Sequence, residues 1–123
     1  ANEKVTPKMP VTVEAQRLAH LFHSGAMTGA LVEGPVALDV AVNKRAALQK
    51  GIDDPVASNA DLLLVPGVEV GSLLVGGIVH FARGRTATVI LGAGIPLVSV
   101  HRKTPQERIH SLALACYALS SKN

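Results

Sequence analysis

Three side chains that lie close together in the sequence carry groups that could bind an anion or accept a proton: His101, Arg102 and Glu107. A guanidinium pairs with phosphate oxygens through two parallel hydrogen bonds, so Arg102 is a candidate anion-binding residue, although a solvated surface arginine explains it equally well. Imidazole titrates near neutral pH, which makes His101 a candidate general base or a structural histidine. Glu107 could also act as a base, but Thr104, Pro105 and Glu107 together have the pattern of a helix capping box, which favours a structural role.

Three junctions between predicted strands and helices could face a ligand, at residues 33–35, 67–72 and 101–104. Ligands of α/β proteins collect outside the carboxyl ends of strands, where helix N-termini offer free N–H groups. Glycine and proline also make ordinary tight turns, so one such junction does not identify a site. The segment 67–72 lacks the dinucleotide and P-loop fingerprints, and a hydride-transfer or NTPase function therefore loses its best support.

The spacing of histidine and cysteine residues predicts no metal site. Of five histidines only His20 and His23 are close, at helical i, i+3 spacing without a third ligand nearby. The single cysteine, Cys116, cannot form an internal disulfide, which fits a reducing compartment, and its place on the core face of the last helix predicts a small buried residue.

Helical and strand patterns alternate along the chain and predict the α/β class. Thr12 is predicted to cap the first helix, which stops at Gly25, and Pro35 to begin the second, which stops at Gly51. The last helix should pack Ile109, Leu112, Ala113 and Cys116 inward. Apolar runs predict strands at 30–32, 61–66, 88–91 and 95–100, of which 61–66 should be buried on both faces. A third helix is predicted at about 69–82.

Composition predicts one domain of 123 residues with a core of aliphatic side chains. The net charge of +3 comes from dispersed basic residues, and stacking aromatics are scarce, so we expect no nucleic-acid partner. The apolar segment 62–79 is interrupted by Pro66, Glu69 and glycines, so we expect no membrane span. Residues 1–10 have no apolar signal core, and a cytoplasmic location is the expectation.

Several strings of the sequence resemble the phosphate acetyl/butyryltransferase family, in the family's order and covering nearly the whole chain. V-E-G-P-V-A-L-D at 32–39 resembles that family's D-G-P-L-A-L-D. K-G-I-D-D-P-V-A-S-N-A-D-L-L-L-V-P-G-V-E-V-G-S at 50–72 resembles K-G-I-x-S-P-V-A-G-x-A-D-I-L-L-V-P-D-I-E-A-G-N. I-L-G-A-G-I-P-L-V and R-I-H-S-L-A-L-A resemble the strand pair and the closing helix, with the butyryl branch nearer than the acetyl branch.

The resemblance implies reversible transfer of a short acyl group between coenzyme A and phosphate. It also implies a three-layer α/β/α fold with a mostly parallel sheet, similar to isocitrate and isopropylmalate dehydrogenases. Coenzyme A is then a substrate, and no tightly bound cofactor is needed. The implied substrate-binding residues are Arg102, Gly34, Pro35, Gly71 and Ser72, and the implied catalytic residues are His101 and Glu107.

The resembling region corresponds to about the C-terminal half of such an enzyme. We therefore expect the N-terminal domain to be absent from this chain, which would act as a homodimer or in association with that domain. Some polar positions depart from the family pattern: His101 stands where the family has serine, Gly67 where it has aspartate and Ser72 where it has asparagine. These departures favour a first alternative, a non-catalytic module that binds coenzyme A or acyl phosphate. The absent N-terminal domain suggests a second, a subunit of a larger acyl-transferring complex whose partner supplies that domain.

Overall fold

The computed structural model describes residues 3–99 and 104–121. The chain divides into two compact units, Ala1–Pro66 and Gly67–Asn123. Among the described residues, the first unit contains three helices and the second contains two. That the chain forms a single domain stays a prediction. The helices of the described residues are α1 (Pro10–His23), α2 (Leu38–Val42), α3 (Lys44–Gln49), α4 (Val68–His80) and α5 (Pro105–Ser120).

The predicted three-layer α/β/α fold with a mostly parallel sheet is wrong. The described part of the chain is helical and contains no sheet; its β pairing is limited to an isolated antiparallel bridge between Ile90 and Leu97. In the part of the chain that the structure describes, no strand lies beside the predicted strand 61–66, and its side chains Leu62 and Leu64 are 83% and 76% exposed. A buried strand needs neighbours for its N–H and C=O groups and covering layers on both faces, and these residues have neither. The predicted similarity to the folds of isocitrate and isopropylmalate dehydrogenases is therefore wrong as well, because it depended on that sheet.

The bridge shows that the two predicted strands after Arg85 are adjacent at Ile90 and Leu97, although they do not form a sheet. The N–H groups of Ile90 and Leu97 each donate to the other's carbonyl oxygen, at 2.8 and 2.9 Å. Gly92 and Gly94, between them, have φ of +106° and +82°, which glycine adopts without a steric penalty. The glycine-containing turn is thus what brings the two runs together.

Helix α1 begins three residues earlier than predicted, with Met9 rather than Thr12 as the N-cap. Thr12 is fully buried, and its hydroxyl accepts from the backbone N–H of Thr6 at 2.9 Å while lying 2.8 Å from the carbonyl oxygen of Met9. A threonine hydroxyl can form hydrogen bonds with the backbone of a preceding loop or with the backbone at a helix N-terminus. The sequence pattern does not distinguish these two cases. The predicted stop is confirmed, because Gly25 follows the C-cap with φ +75°.

The predicted helix after Pro35 is two helices, because Asn43 interrupts it. The Asn43 side chain accepts from the backbone N–H groups of Arg45 at 2.9 Å and Ala46 at 3.4 Å, so it ends α2 and caps α3. Pro35 lies three residues before Leu38, the first residue of α2, and is therefore not at the first helical position.

The predicted stop at Gly51 is confirmed, and it closes a Schellman motif. Gly51, with φ +67°, donates to the carbonyl oxygen of Leu48 at 3.1 Å, and Ile52 donates to that of Ala47 at 3.0 Å. Ile52 then packs on the core cluster that contains Ala47. Leu48, in the same helix as Ala47, is exposed.

The core of the first unit is small and centred on Val40, the largest fully buried side chain among the described residues. It packs with Ala47 and Ala57, and with the half-buried Val36 and Ile52. A cluster of so few apolar side chains makes each of them important for stability.

In the second unit, α4 and α5 lie close to their predicted bounds, but the predicted inner face of α5 is wrong. In α5 the predicted inner residues Ile109, Leu112 and Cys116 are exposed, whereas Ser111 and Ala115 are buried. The sheet that should have covered the apolar stripe is absent from the described residues, so a polar side chain takes the inner position.

We expect Gly84→Ala to lower the free energy of unfolding by about 1–3 kcal/mol, because an added Cβ collides with Cγ2 of Ile78 and lies 3.1 Å from its carbonyl oxygen. Gly84 also donates a hydrogen bond to that carbonyl oxygen, at 2.9 Å, just after α4 ends. Gly76→Ala is the matched control: a Cβ there meets nothing within 4 Å, and alanine favours the helix by about 0.5–1 kcal/mol. Urea unfolding of both variants measures the difference, and equal stabilities would contradict the close approach at Gly84.

Candidate functional site

The Glu33-Gly34-Pro35 junction is held against α1 by two contacts. Glu33 Oε1 lies 3.0 Å from His23 Nε2 at the end of α1, in a half-exposed pair. A Cβ added at Gly34 would lie 3.3 Å from the Cβ of Ala15, so glycine lets the junction approach the middle of the helix. The Gly34–Pro35 peptide bond is cis. The structure thus places these two predicted substrate-binding residues in a defined turn beside α1.

A lysine holds the helix after this junction to the start of the chain. Lys50 Nζ lies 2.7 Å from Glu3 Oε1 and 3.0 Å from Asp39 Oδ2. These hydrogen bonds lower the pKa of both carboxyl groups below their ordinary values and raise the pKa of Lys50, through Glu3 first and Asp39 second. Asp39, which the sequence explained by the helix dipole alone, is therefore also one arm of an ion-pair cluster.

Replacing Lys50 with glutamine is expected to raise the pKa of Glu3 and Asp39 toward their ordinary values of 4.5 and 3.8. Because the pKa of each carboxyl group is lower in the folded chain than in the unfolded chain, the ion pairs stabilise the fold fully above the unfolded-state pKa. This stabilisation is lost as the pH falls through the folded-state pKa. Carboxyl ¹³C NMR titration of both side chains is the measurement. Lys44→Gln is the matched control, because Lys44 makes no ion pair among the described residues, and an unchanged titration in Lys50→Gln would contradict the cluster.

Gly71 and Ser72 lie inside the first turns of α4 rather than in a loop. The helix begins at Val68, and the backbone N–H of Gly71 donates to the carbonyl oxygen of Gly67 at 3.2 Å. That N–H is therefore occupied by the helix. The hydroxyl-bearing Ser72 is exposed on the surface of α4.

The capping box predicted for Glu107 is confirmed. Glu107 Oε2 accepts from the backbone N–H and the hydroxyl of Thr104, both at 2.9 Å, and the Glu107 N–H donates to Thr104 Oγ1 at 3.3 Å. The other carboxylate oxygen, Oε1, accepts from the Thr86 hydroxyl at 2.9 Å. Both oxygens thus hold the start of α5 and a segment that is distant in sequence.

A second hydrogen bond joins the same segment to α5 one helical turn later. The backbone N–H of Thr88 donates to Ser111 Oγ at 3.0 Å, and Ser111 in turn donates to the carbonyl oxygen of Glu107 at 2.7 Å. Residues 86 and 88 lie on one side of an extended chain, and residues 107 and 111 on one side of a helix. This two-point attachment fixes the extended segment along α5.

A cavity of about 320 Å³ lies at the start of α5. The side chains of Arg85 and His110 line it, together with Gln106 and the capping pair Thr104 and Glu107. A guanidinium and an imidazole beside the N–H groups of a helix start suit a ligand that carries negative charge. Sequence analysis did not select Arg85 or His110, because only the attachment of the extended segment to α5 brings them together.

Two predicted site residues, His101 and Arg102, lie outside the described residues, immediately before Thr104. Among the predicted site residues that the structure describes, Glu107 is the one that lines the cavity. Gly34 and Pro35 belong to the first unit, and Gly71 and Ser72 belong to α4 in the second.

The described residues contain no group of three histidine, cysteine, aspartate or glutamate side chains that could hold a metal ion. In that same part of the chain, no helix combines the length and the apolar character that crossing a bilayer requires.

Comparison with known proteins gives consistent results. A family model described as "Phosphate acetyl/butaryl transferase" matches residues 2–115. The "Probable phosphate butyryltransferase" of Bacillus subtilis is 44% identical over 96% of this chain and 40% of its own length. The "Phosphate acetyltransferase" of Thermotoga maritima is 40% identical over 94% of this chain and 40% of its own length.

A solved structure is also similar, a crystal structure of a branched-chain phosphotransacylase from Enterococcus faecalis. It superposes with a TM-score of 0.82 at 31% identity, over 94% of this chain and 42% of that one. The chain therefore spans about two fifths of the length of the relatives that it matches.

Proposed function

Because the chain belongs to the phosphate acetyl/butyryltransferase family, we propose that it takes part in the transfer of a short acyl group between coenzyme A and phosphate. The observation that carries this proposal is the family match across residues 2–115, with relatives named as phosphate butyryl- and acetyltransferases. Acyl-coenzyme A and phosphate are the substrates on one side of the reaction, and coenzyme A and acyl phosphate on the other.

In the acyl phosphate direction, the coenzyme A sulfur loses its proton to a base and forms a bond to the acyl carbonyl carbon. The bond from that carbon to the phosphate oxygen then breaks, and phosphate leaves with the electron pair. Charge develops on the carbonyl oxygen and on the departing phosphate, and positively charged donors held in place stabilise both. A metal ion is not needed to balance this step.

The proposed roles follow from the family and from the cavity at the start of α5. Arg102 binds the phosphate group, and the guanidinium of Arg85, which lines the cavity, adds positive charge there. His101 or Glu107 accepts the thiol proton. Of these two, we favour His101, since both carboxylate oxygens of Glu107 already accept hydrogen bonds. Gly34, Pro35, Gly71 and Ser72 shape the substrate-binding surfaces of their own units.

A non-catalytic module that binds coenzyme A or acyl phosphate is the second candidate. One observation favours it: Glu107, a predicted catalytic residue, is engaged in capping α5.

The test is release of free thiol from butyryl- and acetyl-coenzyme A, with and without phosphate. The assay uses the 123-residue chain, alone and together with the part of the Bacillus subtilis relative that the chain does not match. Phosphate-dependent thiol release supports acyl transfer. Calorimetric binding of coenzyme A without turnover in either sample would replace it with the binding module, and neither binding nor turnover would refute both candidates.

A further inference from the structure

The Glu33-Gly34-Pro35 junction has a single polar attachment to α1. Among the described residues, the segment 28–36 takes part in one hydrogen bond, the 3.0 Å contact between Glu33 Oε1 and His23 Nε2. An ionised carboxylate only accepts hydrogen bonds, so His23 Nε2 carries the proton and donates it. The imidazole of His23 therefore supplies the hydrogen bond that holds this segment to the rest of its unit.

His23 lies on the same side of α1 as the residue that Gly34 approaches. Ala15, Ala19 and His23 are four residues apart, which places them within about 80° of one another around the helix. Ala19 is buried, and a Cβ added at Gly34 would lie 3.3 Å from the Cβ of Ala15. Apolar contact is non-directional, whereas a hydrogen bond has a preferred angle. The contact at Ala15 thus sets how close the junction comes to α1, and the bond from His23 to Glu33 sets its orientation.

The turn that this bond orients has free backbone groups. The N–H of Gly34 and the carbonyl oxygens of Gly34 and Pro35 make no hydrogen bond among the described residues, although both residues are half-buried. Half-buried backbone groups of this kind need a partner, which a polar ligand can supply.

We propose that His23 is a positioning residue, which acts through Glu33 to orient the Gly34-Pro35 turn for the coenzyme A substrate. The role rests on the acyl-transfer function proposed above, in which Gly34 and Pro35 shape a substrate-binding surface. His23 itself does not touch the substrate in this role.

The first measurement is the mobility of the turn, by ¹⁵N relaxation of the 123-residue chain. We expect an order parameter of about 0.85 for the Gly34 N–H in the wild type and of about 0.6 or less in His23→Ala. His20→Ala is the matched control, because His20 is an exposed histidine of the same helix whose side chain makes no hydrogen bond among the described residues. Since His23 is exposed as well, neither variant should lose helix content by circular dichroism.

The second measurement is the Kd of coenzyme A by calorimetry, on the two samples of the thiol-release assay. His23→Ala is expected to raise the Kd by about two- to fivefold, the range that corresponds to an exposed ion pair, and His20→Ala should leave it unchanged. Glu33→Ala should have the same effect, and the double variant should bind no more weakly than either single variant, because all three lack one interaction. His23→Gln should restore the wild-type Kd, since its side-chain amide can donate to Glu33.

Four results would overturn the proposal while coenzyme A still binds, and they leave the proposed function untouched. These are an unchanged order parameter in His23→Ala, an unchanged Kd, additive effects in the double variant, or no recovery in His23→Gln. A wild-type chain that binds no coenzyme A refutes the positioning role together with the proposed function. Weaker binding in His23→Ala, in samples that release no thiol, supports the positioning role and replaces acyl transfer with the binding module.

Discussion

Replacing Arg102 with alanine is expected to lower kcat/KM for phosphate-dependent thiol release by about 10²–10³-fold, the usual loss when one donor that stabilises developing charge is removed. The expectation follows from the family motif, in which this arginine is retained in the sequence just before α5. The measurement is the initial rate with butyryl-coenzyme A at several phosphate concentrations.

Two variants separate the chemistry of Arg102 from a general loss of charge. Arg102→Lys keeps the charge but loses the planar pair of donors, so its rate should lie between those of the wild type and of Arg102→Ala. Arg45→Ala removes an equal charge from α3 and should leave the rate unchanged. If Arg102→Ala retains wild-type kcat/KM, Arg102 has no part in the mechanism.

Val40→Ala is expected to destabilise the first unit by about 2–3 kcal/mol. The substitution removes two methylene equivalents from a fully buried side chain, at about 0.8 kcal/mol each, and adds a term for the cavity left behind. In a unit of this size the midpoint of thermal unfolding should fall by about 10 °C or more. Differential scanning calorimetry or circular dichroism during heating measures that midpoint.

Val42→Ala is the matched control for this effect. Val42 belongs to the same helix, α2, and its replacement by alanine is the same chemical change, but Val42 is 56% exposed. Both variants gain the same helix propensity of alanine, so the difference between them isolates burial. Equal midpoints for the two variants would show that Val40 is not the centre of the core.

Local sequence patterns predicted three helix ends correctly, whereas Thr12 and Pro35 do not begin helices as predicted. Gly25 and Gly51 end α1 and α3 with positive φ, and the Thr104–Glu107 pair starts α5, all as predicted. Asn43 carried a readable signal as well, since asparagine is a preferred N-cap, but the continuous apolar pattern around it favoured a single helix.

The prediction of a sheet failed because a strand is defined by its neighbours. The run 61–66 has the apolar composition of a buried strand, yet no strand lies beside it in the described residues and its leucines face water. The predicted inner face of α5 is wrong for the same reason. The described residues form no sheet that could cover the apolar side chains of this helix, and Ser111 is buried instead.

The sequence by itself determined the family, because the match depends on the order and spacing of residues along the chain. It also determined the capping box, whose partners are three residues apart. Only the tertiary structure decided that Arg85 and His110 line one cavity with Glu107, because residues more than twenty positions apart meet through the hydrogen bonds of Thr86 and Thr88 to α5. It also decided that no residue of α4 is fully buried, since burial depends on what packs against a helix and not on its composition.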